Sequence, residues 1–370
     1  MNSQRYLELL ARISDGLDPD LRRIRTLLDP PDEECEKALF GAALKLKRKL
    51  FGNLVNLRGL IEFSNICSCD CLYCGIRRSN TRVTRYTMSE ADILHGAELA
   101  SKFGYGAVVL QSGERNDPQF VRMVTTLVEK ITALPNAPAI TLSCGEQSLD
   151  TYRRWVDAGA KRYLLRIESS TPEIFNSIHP ASTTLTARKA ALRRIRRAGF
   201  QTGTGVMIGL PGQTLDHLAR DIKFFRDIDV DMIGMGPFLP QQATPMGNAP
   251  DDEATVARRF NWALRMIAVT RLTLRDVNIA STTALQALDP ANGREKGLLA
   301  GANVIMPNVG DVAYRRDYQL YNGKPALDEN SENIRHQLLE SLRKIGECPR
   351  WDSSGDPPHF IKRTTGNETI

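Results

Sequence analysis

The sequence predicts an α/β protein: a complete (β/α)8 barrel of the TIM type with a helical extension at its N-terminus. The first sign is an alternation, between residues 57 and 307, of short β-branched runs with amphipathic stretches. The second is the count of these segments. Eight candidate strands with seven helical patterns between them are the number that one closed parallel barrel contains. The third is the length of 370 residues, which holds one such barrel with additions at both ends. A partial barrel of six strands is the alternative.

Residues 1–50 are predicted to form a helical cap before the barrel. Apolar residues recur at helical spacing over residues 3–13 and again over residues 32–50. Pro30 and Pro31 lie between the two stretches, where they end the first helical region.

The barrel itself is predicted over residues 51–325. Its candidate strands are residues 58–66, 107–111, 139–143, 162–168, 203–209, 231–238, 277–282 and 303–307. Helical patterns between them lie near residues 88–103, 118–133, 148–158, 184–199, 214–227, 252–270 and 284–300. The composition then turns polar. We expect residues 326–370 to contain one helix, over residues 332–345, and a polar tail rich in Pro, Gly and Asp.

Composition and charge narrow the class of protein. Hydrophobic residues make up 42% of the chain, and no apolar stretch is long enough to cross a bilayer. The N-terminus lacks the apolar core of a signal peptide and the cysteines are clustered, so we expect a cytoplasmic protein in a reducing compartment. The net charge is +6, and the basic runs 45–49 and 193–197 carry no interleaved aromatic residues. We therefore expect solvated helix faces rather than a nucleic-acid site, with an acidic protein partner as the alternative.

Four of the seven cysteines lie within eight residues, directly after the first candidate strand. Cys67, Cys71 and Cys74 have the spacing C-x3-C-x2-C, and soft thiolate ligands select iron–sulfur clusters, zinc or copper(I). Because a [4Fe–4S] cluster usually takes four cysteines, three predict a cluster with one iron left for a small molecule. Cys69 is a competing ligand, although neighbouring side chains in a tight loop tend to face different ways. A zinc knuckle or a half-built disulfide framework is the alternative, but no second ligand pair with matching spacing follows.

This spacing, with Tyr73 before the last cysteine and Gly75 after it, resembles the signature of the radical S-adenosylmethionine (SAM) enzymes. The resemblance implies that the open iron of a single [4Fe–4S] cluster chelates the amino and carboxylate groups of SAM. An electron from the cluster would cleave the sulfonium and give methionine and a 5′-deoxyadenosyl radical, with ferredoxin or flavodoxin as reductant. The cofactor supplies this chemistry, and the protein supplies orientation and a dry cavity.

Polar residues end several candidate strands, and in a parallel barrel the reactive groups gather at these carboxyl ends. Gly113 and Glu114 end the second strand and resemble the superfamily element that receives the amino group of SAM, where a carboxylate suits an ammonium. Arg166 and Glu168 end the fourth strand. We expect Glu168 to bind the ribose hydroxyls of SAM and Arg166 to bind an anionic group, with a purely structural ion pair as the alternative.

The fifth strand ends in a glycine-rich stretch, residues 203–214. Its glycines permit a close approach of the backbone, and Thr214 is placed to cap the helix that follows. In radical SAM enzymes the matching stretch holds adenine. Arg188, on the preceding helix, is placed to reach the carboxylate of SAM.

These strand ends resemble one family of radical SAM enzymes, the HydE maturases of [FeFe]-hydrogenase, over residues 40–325. The resemblance rests on residues 61–65, 71–75, 109–114, 162–166, 208–214, 236–238 and 301–308. It implies SAM contacts from Tyr73, Gly113, Glu114, Arg166, Glu168, Arg188, Met232, Met306 and Tyr318. It implies polar positions in a deeper substrate cavity at Gln111, Ser112, Thr141, Thr282 and Thr283.

In that family the barrel receives a cysteine-bound iron carbonyl–cyanide complex made by the partner maturase HydG, and the diiron unit is assembled on HydF. We therefore expect a radical SAM maturase that acts on a sulfur-bearing iron complex. One alternative is a mutase or sulfur-chemistry enzyme acting on an amino acid, as in methylornithine synthase or biotin synthase. The latter needs a second cluster deep in the barrel, where Cys144 alone is placed. A non-catalytic iron–sulfur carrier is the other alternative, but it has no need of elements that place SAM.

Three features depart from the HydE pattern. Residues 322–335 contain no cysteine, so we expect one cluster rather than two. Ile167 stands where the family pattern has histidine, and Gln147 stands where an aromatic residue is usual. Both positions are expected beside the cavity, where they would bear on the choice of substrate.

Overall fold

A computed structural model describes residues 1–366. Its helices are α1 (Ser3–Ser14), α2 (Leu21–Leu27), α3 (Glu33–Phe51), α4 (Glu90–Lys102), α5 (Pro118–Thr132), α6 (Leu149–Asp157), α7 (Pro172–Ile178), α8 (Leu185–Arg197), α9 (Leu215–Asp227), α10 (Glu253–Leu274), α11 (Thr283–Leu288), α12 (Gly293–Leu299), α13 (Val312–Arg315), α14 (Ser331–Lys344) and α15 (Pro358–Thr365). Its strands are β1 (Leu54–Ser64), β2 (Ala107–Ser112), β3 (Ala139–Ser143), β4 (Arg162–Leu164), β5 (Gln201–Thr204), β6 (Met207–Ile208), β7 (Met232–Gly234), β8 (Gly236–Pro237), β9 (Asn278–Ala280), β10 (Val304–Ile305) and β11 (Cys348–Arg350). None of these helices is long and apolar enough to cross a membrane.

Eight of the strands close into a parallel barrel. The order is β1, β2, β3, β4, β5, β7, β9 and β10, and β10 pairs back to β1 through Val304 and Asn56. The predicted (β/α)8 barrel is therefore confirmed, and the six-strand alternative is wrong. The predicted helices between the strands are present, and the last of them is divided into α11 and α12.

Alternation along each strand separates an apolar outer layer from the barrel interior. In β1, Leu57, Ile61 and Phe63 are buried in the apolar core under the helices, whereas Leu60 and Glu62 face a cavity inside the barrel. Burial of each large apolar side chain stabilises the fold by about 1.5–3 kcal/mol. The outer layer thus holds the barrel together, and the interior is left for polar groups.

The fourth strand is shorter than the sequence predicts. It was expected over residues 162–168 but ends at Leu164. The backbone of Glu168 is left-handed (φ +63°), and Ile167 donates its N–H to the side-chain hydroxyl of Thr204 on β5 rather than to a backbone carbonyl of that strand. The end of this strand is therefore irregular backbone, where binding groups are often found.

The strands predicted over residues 203–209 and 231–238 are each divided. Their first halves, β5 and β7, belong to the barrel, and their second halves pair as β6 and β8 in a separate two-stranded sheet. A side chain at Gly205 would place its Cβ 1.7 Å from the carbonyl oxygen of Gly234. The two strands therefore approach each other here only because this position has no side chain.

The N-terminal helices pack on the outside of the barrel, against α9 and α10. Tyr6 on α1 donates its hydroxyl to the Leu27 carbonyl at the end of α2 (2.8 Å). Arg265 on α10 pairs with Glu36 on α3 (2.6 Å). Helix α2 was not predicted, because seven residues are too few to display a clear period.

The end of the chain covers the N-terminal end of the barrel. Helix α14 lies where it was predicted, but residues 348–365 are more than a polar tail. They form β11, which extends the sheet beside the start of β1, and α15, and we call this segment the C-terminal plug. Asn278 donates its side-chain N–H to the Gly355 carbonyl (2.8 Å), and Arg162 donates to the Ser354 carbonyl (2.7 Å). The plug was not predicted because its strand is short and its contacts are all distant in sequence.

Candidate active site

The cysteine loop, residues 65–78, begins where β1 leaves the barrel. It is joined to the end of β2 by a hydrogen bond from the Ser68 N–H to the Glu114 carbonyl (2.8 Å). A side chain at Gly113 would place its Cβ 2.4 Å from the carbonyl oxygen of Ile66. Only glycine lets the loop lie this close, so the loop and the Gly113–Glu114 element form one unit.

The three cysteines predicted as cluster ligands are half-buried, and all seven cysteines are free thiols. The sulfur of Cys67 accepts hydrogen bonds from the backbone N–H groups of Cys69 (3.4 Å) and Glu114 (3.3 Å). Such bonds favour the thiolate, which is the form that binds metal. Burial raises the pKa of Cys74 to about 12 in the metal-free chain, so metal binding there releases a proton.

Cys67, Cys71 and Cys74 fit an iron–sulfur cluster by the chemistry of their sulfur donors. Each iron of a cubane takes its own thiolate, so the ligands surround the cluster rather than meet at one point. Within residues 1–366, no three His, Cys, Asp or Glu side chains converge as the ligands of a single metal ion do. One loop with three half-buried thiols at the barrel mouth suits a cluster that keeps one iron open.

The surplus thiol, Cys69, lies beside Glu114. Its backbone N–H is donated to the sulfur of Cys67 (3.4 Å), and its thiol donates to Oε1 of Glu114 (3.1 Å). The Glu114 N–H also bonds to the sulfur of Cys67 (3.3 Å). Both cysteines therefore adjoin Glu114, and the choice of Cys67, Cys71 and Cys74 as ligands stays a prediction.

The Glu114 carboxylate is held at both oxygens. Besides the contact with Cys69, its Oε2 accepts the backbone N–H of Glu146 (2.7 Å). Gly145 has φ +75°, and a Cβ there would lie 2.2 Å from Cγ of Glu114. The end of β3 therefore leaves room for a fixed carboxylate beside the cysteine loop, which is the acceptor that an ammonium group needs.

Arg166 and Glu168 form an ion pair beyond the end of β4 (3.0 Å), and Arg166 also donates to the Val206 carbonyl (2.9 Å). The structural ion pair considered as the alternative is thus present. The side chain of Glu168 is only 8% exposed, against 33% for Arg166. The left-handed backbone of Glu168 costs about 1–3 kcal/mol, and such strain is typical of sites that must aim a side chain.

Arg188 lies buried behind this pair. Its Nε donates to the Glu146 carboxylate (2.6 Å), and its Nη1 donates to the Arg166 carbonyl (2.6 Å). Four of the predicted SAM residues, Glu114, Arg166, Glu168 and Arg188, therefore join one charged network with Glu146. Glu146 was not predicted as a member, because the sequence showed it only as part of a polar strand end.

An apolar wall lies beside the cysteine loop. It consists of Met207, Leu210 and Phe238 from the β6–β8 region with Ile174 and Ile178 from α7, and Tyr73 packs against it. The glycine-rich stretch predicted to hold adenine is part of this wall. Gln213 fixes it by accepting the Gly209 N–H (2.6 Å), and Thr214 is the N-cap of α9 as predicted.

His179 adjoins the wall and was not predicted. Its ring stacks on Phe175 (centroids 4.0 Å apart) and meets Tyr73 edge-on (5.7 Å). Burial lowers the pKa of His179 to about 4, so the ring is neutral at pH 7. Its Nδ1 donates to the Phe175 carbonyl (2.9 Å), which leaves Nε2 as a buried acceptor with no partner in the described part of the chain. A lone histidine gives no sequence signal of this role.

A cavity of about 260 Å³ lies inside the barrel at its C-terminal end. The predicted residues that line it are Gln111, Arg166, Thr282, Thr283 and Met306. Tyr318 lies at its edge, where its hydroxyl accepts a hydrogen bond from Gln111 (3.3 Å). Lys324 and Glu62 form a buried ion pair in the lining of the cavity (2.6 Å). This pair was not predicted, because the two residues are far apart in sequence.

Three predicted positions do not line this cavity. Ser112 is buried and donates its hydroxyl to the Gly113 carbonyl (2.8 Å). Thr141 and Met232 are also buried, and the sulfur of Met232 accepts a hydrogen bond from Arg58 (2.6 Å). These residues support the barrel interior next to the cavity, and their contact with ligand stays a prediction.

The two substitutions relative to the family pattern do not line this cavity, and their bearing on the choice of substrate stays a prediction. Ile167 is buried in the apolar core. Gln147 donates its side-chain amide to the carbonyls of Cys144 (3.0 Å) and Arg115 (2.7 Å). Neither side chain is among those that line the cavity.

The chain is similar to known proteins along most of its length. The sequence profile of the radical SAM superfamily matches residues 61–225. The [FeFe] hydrogenase maturase subunit HydE of Thermotoga maritima is 39% identical over 333 residues, which cover 90% of this chain and 92% of that protein. The 3-methylornithine synthase of Methanosarcina acetivorans is 26% identical over 341 residues, which cover 90% of each. The crystal structure of methylornithine synthase (PylB) shares the fold, with a TM-score of 0.78 at 24% identity over 93% of this chain and 98% of that one.

The barrel, the cysteine loop and the superfamily match define a radical SAM enzyme, a class that uses a [4Fe–4S] cluster and SAM. The zinc and carrier alternatives therefore fail. The identity to HydE extends over nearly the whole of both proteins, and the chain belongs to the HydE family. The family resemblance read from the strand ends is confirmed.

Proposed function

We propose that this protein is an [FeFe]-hydrogenase maturase that cleaves SAM reductively and directs the 5′-deoxyadenosyl radical at a sulfur-bearing iron carbonyl–cyanide precursor. One observation carries the proposal: the cysteine loop is hydrogen-bonded to Glu114, whose carboxylate is held in place at the mouth of a polar cavity. Identity of 39% to HydE supports this choice of substrate. The proposed partners are HydG-type and HydF-type maturases, with ferredoxin or flavodoxin as reductant.

One [4Fe–4S] cluster bound by Cys67, Cys71 and Cys74 supplies, when loaded, the electron that cleaves SAM. The chain itself holds and orients SAM. Glu114 accepts hydrogen bonds from the methionine amino group, and Arg188 balances the methionine carboxylate. Both side chains are already fixed by Glu146, so little rotamer entropy remains to be lost on binding.

Glu168 accepts hydrogen bonds from the ribose hydroxyls. Its partner Arg166 balances the charge of this nearly buried carboxylate. The apolar wall, against which Tyr73 packs, would hold adenine. The wall excludes water from the radical's surroundings, which prevents side reactions.

The substrate occupies the barrel cavity. Thr282, Thr283 and Gln111 supply hydroxyl and amide donors, and Arg166 supplies a positive charge. Cyanide nitrogens and an amino-acid carboxylate are acceptors that such groups recognise. The cavity therefore suits an anionic complex that carries a cysteine.

The test is anaerobic reconstitution with iron and sulfide, reduction with dithionite in the presence of SAM, and assay of 5′-deoxyadenosine with and without the cysteine-bound iron carbonyl–cyanide complex. We expect SAM cleavage that rises when the complex is added. Cleavage that ignores the complex would leave the radical SAM enzyme intact and remove the maturase proposal.

The second candidate is a mutase acting on a free amino acid, as in methylornithine synthase. It is favoured by 26% identity over 90% of the chain and by the shared fold. The discriminating arm of the same experiment replaces the iron complex with lysine. Cleavage stimulated by lysine and not by the iron complex would support this candidate.

A further inference from the structure

We propose that Cys69 is a fourth, exchangeable ligand of the cluster, which binds the open iron while SAM is absent and leaves it when SAM binds. The proposal rests on the proposed function, because it concerns the same cluster and the same SAM site. It assigns a role to the one cysteine of the loop that the three-cysteine pattern does not use.

The position of the Cys69 sulfur supports this role. Four cysteines lie within eight residues, and both Cys67 and Cys69 contact Glu114. The sulfur of Cys67 accepts the Glu114 N–H (3.3 Å), and the Cys69 thiol donates to Oε1 of Glu114 (3.1 Å). The backbone N–H of Cys69 is donated to the sulfur of Cys67 (3.4 Å). The side chain is half-buried within the loop rather than turned into solvent or into the core. A thiol in this place lies within the ligand set of the cluster without being needed for the C-x3-C-x2-C pattern.

Glu114 links the thiol to the SAM site. Oε1 of Glu114 accepts the Cys69 thiol (3.1 Å), while Oε2 is held by the backbone of Glu146. In the proposed SAM complex, the group that ligates the open iron and donates to Glu114 is the methionine amino group. The Cys69 sulfur therefore lies beside Glu114, in the place that the amino group of SAM would take, and the two exclude each other.

A ligand for the open iron is chemically useful when SAM is absent. A cubane held by only three thiolates exposes one iron to solvent and loses it readily, whereas a fourth soft thiolate binds it well. The exchange also balances. The iron–sulfur bond of Cys69 breaks, and bonds from the iron to the amino nitrogen and carboxylate oxygen of SAM form. The ammonium of free SAM gives up one proton and the Cys69 thiolate gains one, so no net proton is released.

The test compares the reconstituted wild-type protein with the variants C69A and C69S. The control is C348S, which removes an exposed cysteine from the opposite end of the barrel. For each protein we would record the EPR spectrum of the reduced cluster with and without SAM, the conversion of the SAM-free cluster to [3Fe–4S] on brief oxidation, and the dissociation constant of SAM.

We expect the SAM-free EPR spectra of C69A and C69S to differ from those of wild type and C348S, whereas the four SAM-bound spectra agree. Oxidation without SAM should give about threefold or more [3Fe–4S] signal in both Cys69 variants. SAM should bind both variants about threefold or more tightly. Without Cys69 on the open iron, a larger fraction of the protein is ready to bind SAM. C69S tests sulfur itself, since serine keeps a hydroxyl donor for Glu114.

The proposal is overturned if the Cys69 variants match wild type in the SAM-free spectrum, in iron loss and in SAM affinity, or if C69S matches wild type while C69A does not. A wild-type protein that binds a cluster whose spectrum SAM leaves unchanged, or that binds no cluster, would instead overturn the proposed function. The two failures are therefore distinguishable.

Discussion

The two ends of the barrel both carry buried polar side chains, but these find their partners in different ways. At the N-terminal end, Arg162 and Asn278 donate to carbonyls of the C-terminal plug, and Arg162 also pairs with Asp356. At the C-terminal end, Arg188 pairs with Glu146 beyond β3, and Arg166 pairs with Glu168 beyond its own strand, β4. The first end is filled by protein, and the second keeps a cavity of about 260 Å³.

The difference teaches that an inward polar residue on a barrel strand does not by itself mark an active site. Arg162 is the first residue of β4, and Arg166 lies four residues further along the chain, beyond the C-terminal end of the same strand. Arg162 is satisfied by a segment that is almost 200 residues away in sequence, as its contact with Asp356 shows. Arg166 lines the cavity. Whether such an arginine helps to close the barrel or lines a binding cavity therefore depends on its partners and not on its residue type.

The largest effect is expected from removing the C-terminal plug by ending the chain at Glu347. Arg58, Arg162 and Asn278 are buried and would lose partners, and each unsatisfied buried group costs about 1–3 kcal/mol, more if charged. We expect the free energy of unfolding to fall by about 5 kcal/mol or more, measured by urea denaturation. An unchanged denaturation midpoint would show that the plug does not serve the barrel.

The next largest effect concerns the ion pair between Lys47 on α3 and Glu347 before the plug, both fully buried (2.5 Å). K47A leaves the buried Glu347 carboxylate with only a longer contact to the part-exposed Arg48 (3.6 Å) and should lower the free energy of unfolding by about 3 kcal/mol. The control is the double variant K47M/E347L, which removes both charges and should recover most of that loss. Equal destabilisation by the single and double variants would contradict the ion-pair explanation.

A pH effect is expected at the C-terminal end, where Asp221 accepts the backbone N–H of Ser170 (2.6 Å), two residues beyond Glu168. Burial raises the pKa of Asp221 to about 7, so the folded protein binds a proton that the unfolded chain has released. The stability contribution is present below pH 4 and is lost as pH rises through 7, by up to about 4 kcal/mol.

The variant D221N should flatten this part of the stability curve between pH 4 and pH 8, because its amide cannot titrate. It should also keep the acceptor for Ser170 and therefore the backbone of Glu168. Denaturation series at several pH values check the prediction. Parallel curves for wild type and D221N would show that Asp221 does not titrate in this range.

The smallest effect on stability is expected from C71A. Cys71 is half-buried in a loop, so its removal should change the unfolding free energy of the cluster-free chain by about 1 kcal/mol or less. The same variant should bind far less iron and sulfide on reconstitution. A C71A protein that unfolds much more easily than wild type before reconstitution would show that the loop serves the fold as well as the cluster.

Much of the fold and the centre of the site could be predicted from the sequence. The strands and helices follow from periodicity, which is a local property, and the cysteine loop, Glu114 and Glu168 follow from motifs at strand ends. Glu146, His179 and Lys324 could not be found in this way, because their roles come from contacts with residues that are distant in sequence. The plug could not be predicted for the same reason.

The most direct test of the central claim is SAM cleavage by the reconstituted, dithionite-reduced protein, measured as 5′-deoxyadenosine for wild type, C71A and E114Q side by side. The account predicts 5′-deoxyadenosine from wild type and none from C71A. E114Q should keep its cluster but form product about tenfold or more slowly, since a neutral amide holds an ammonium less well than a carboxylate. Absence of product from the iron-loaded wild type, or equal product from all three proteins, would contradict it.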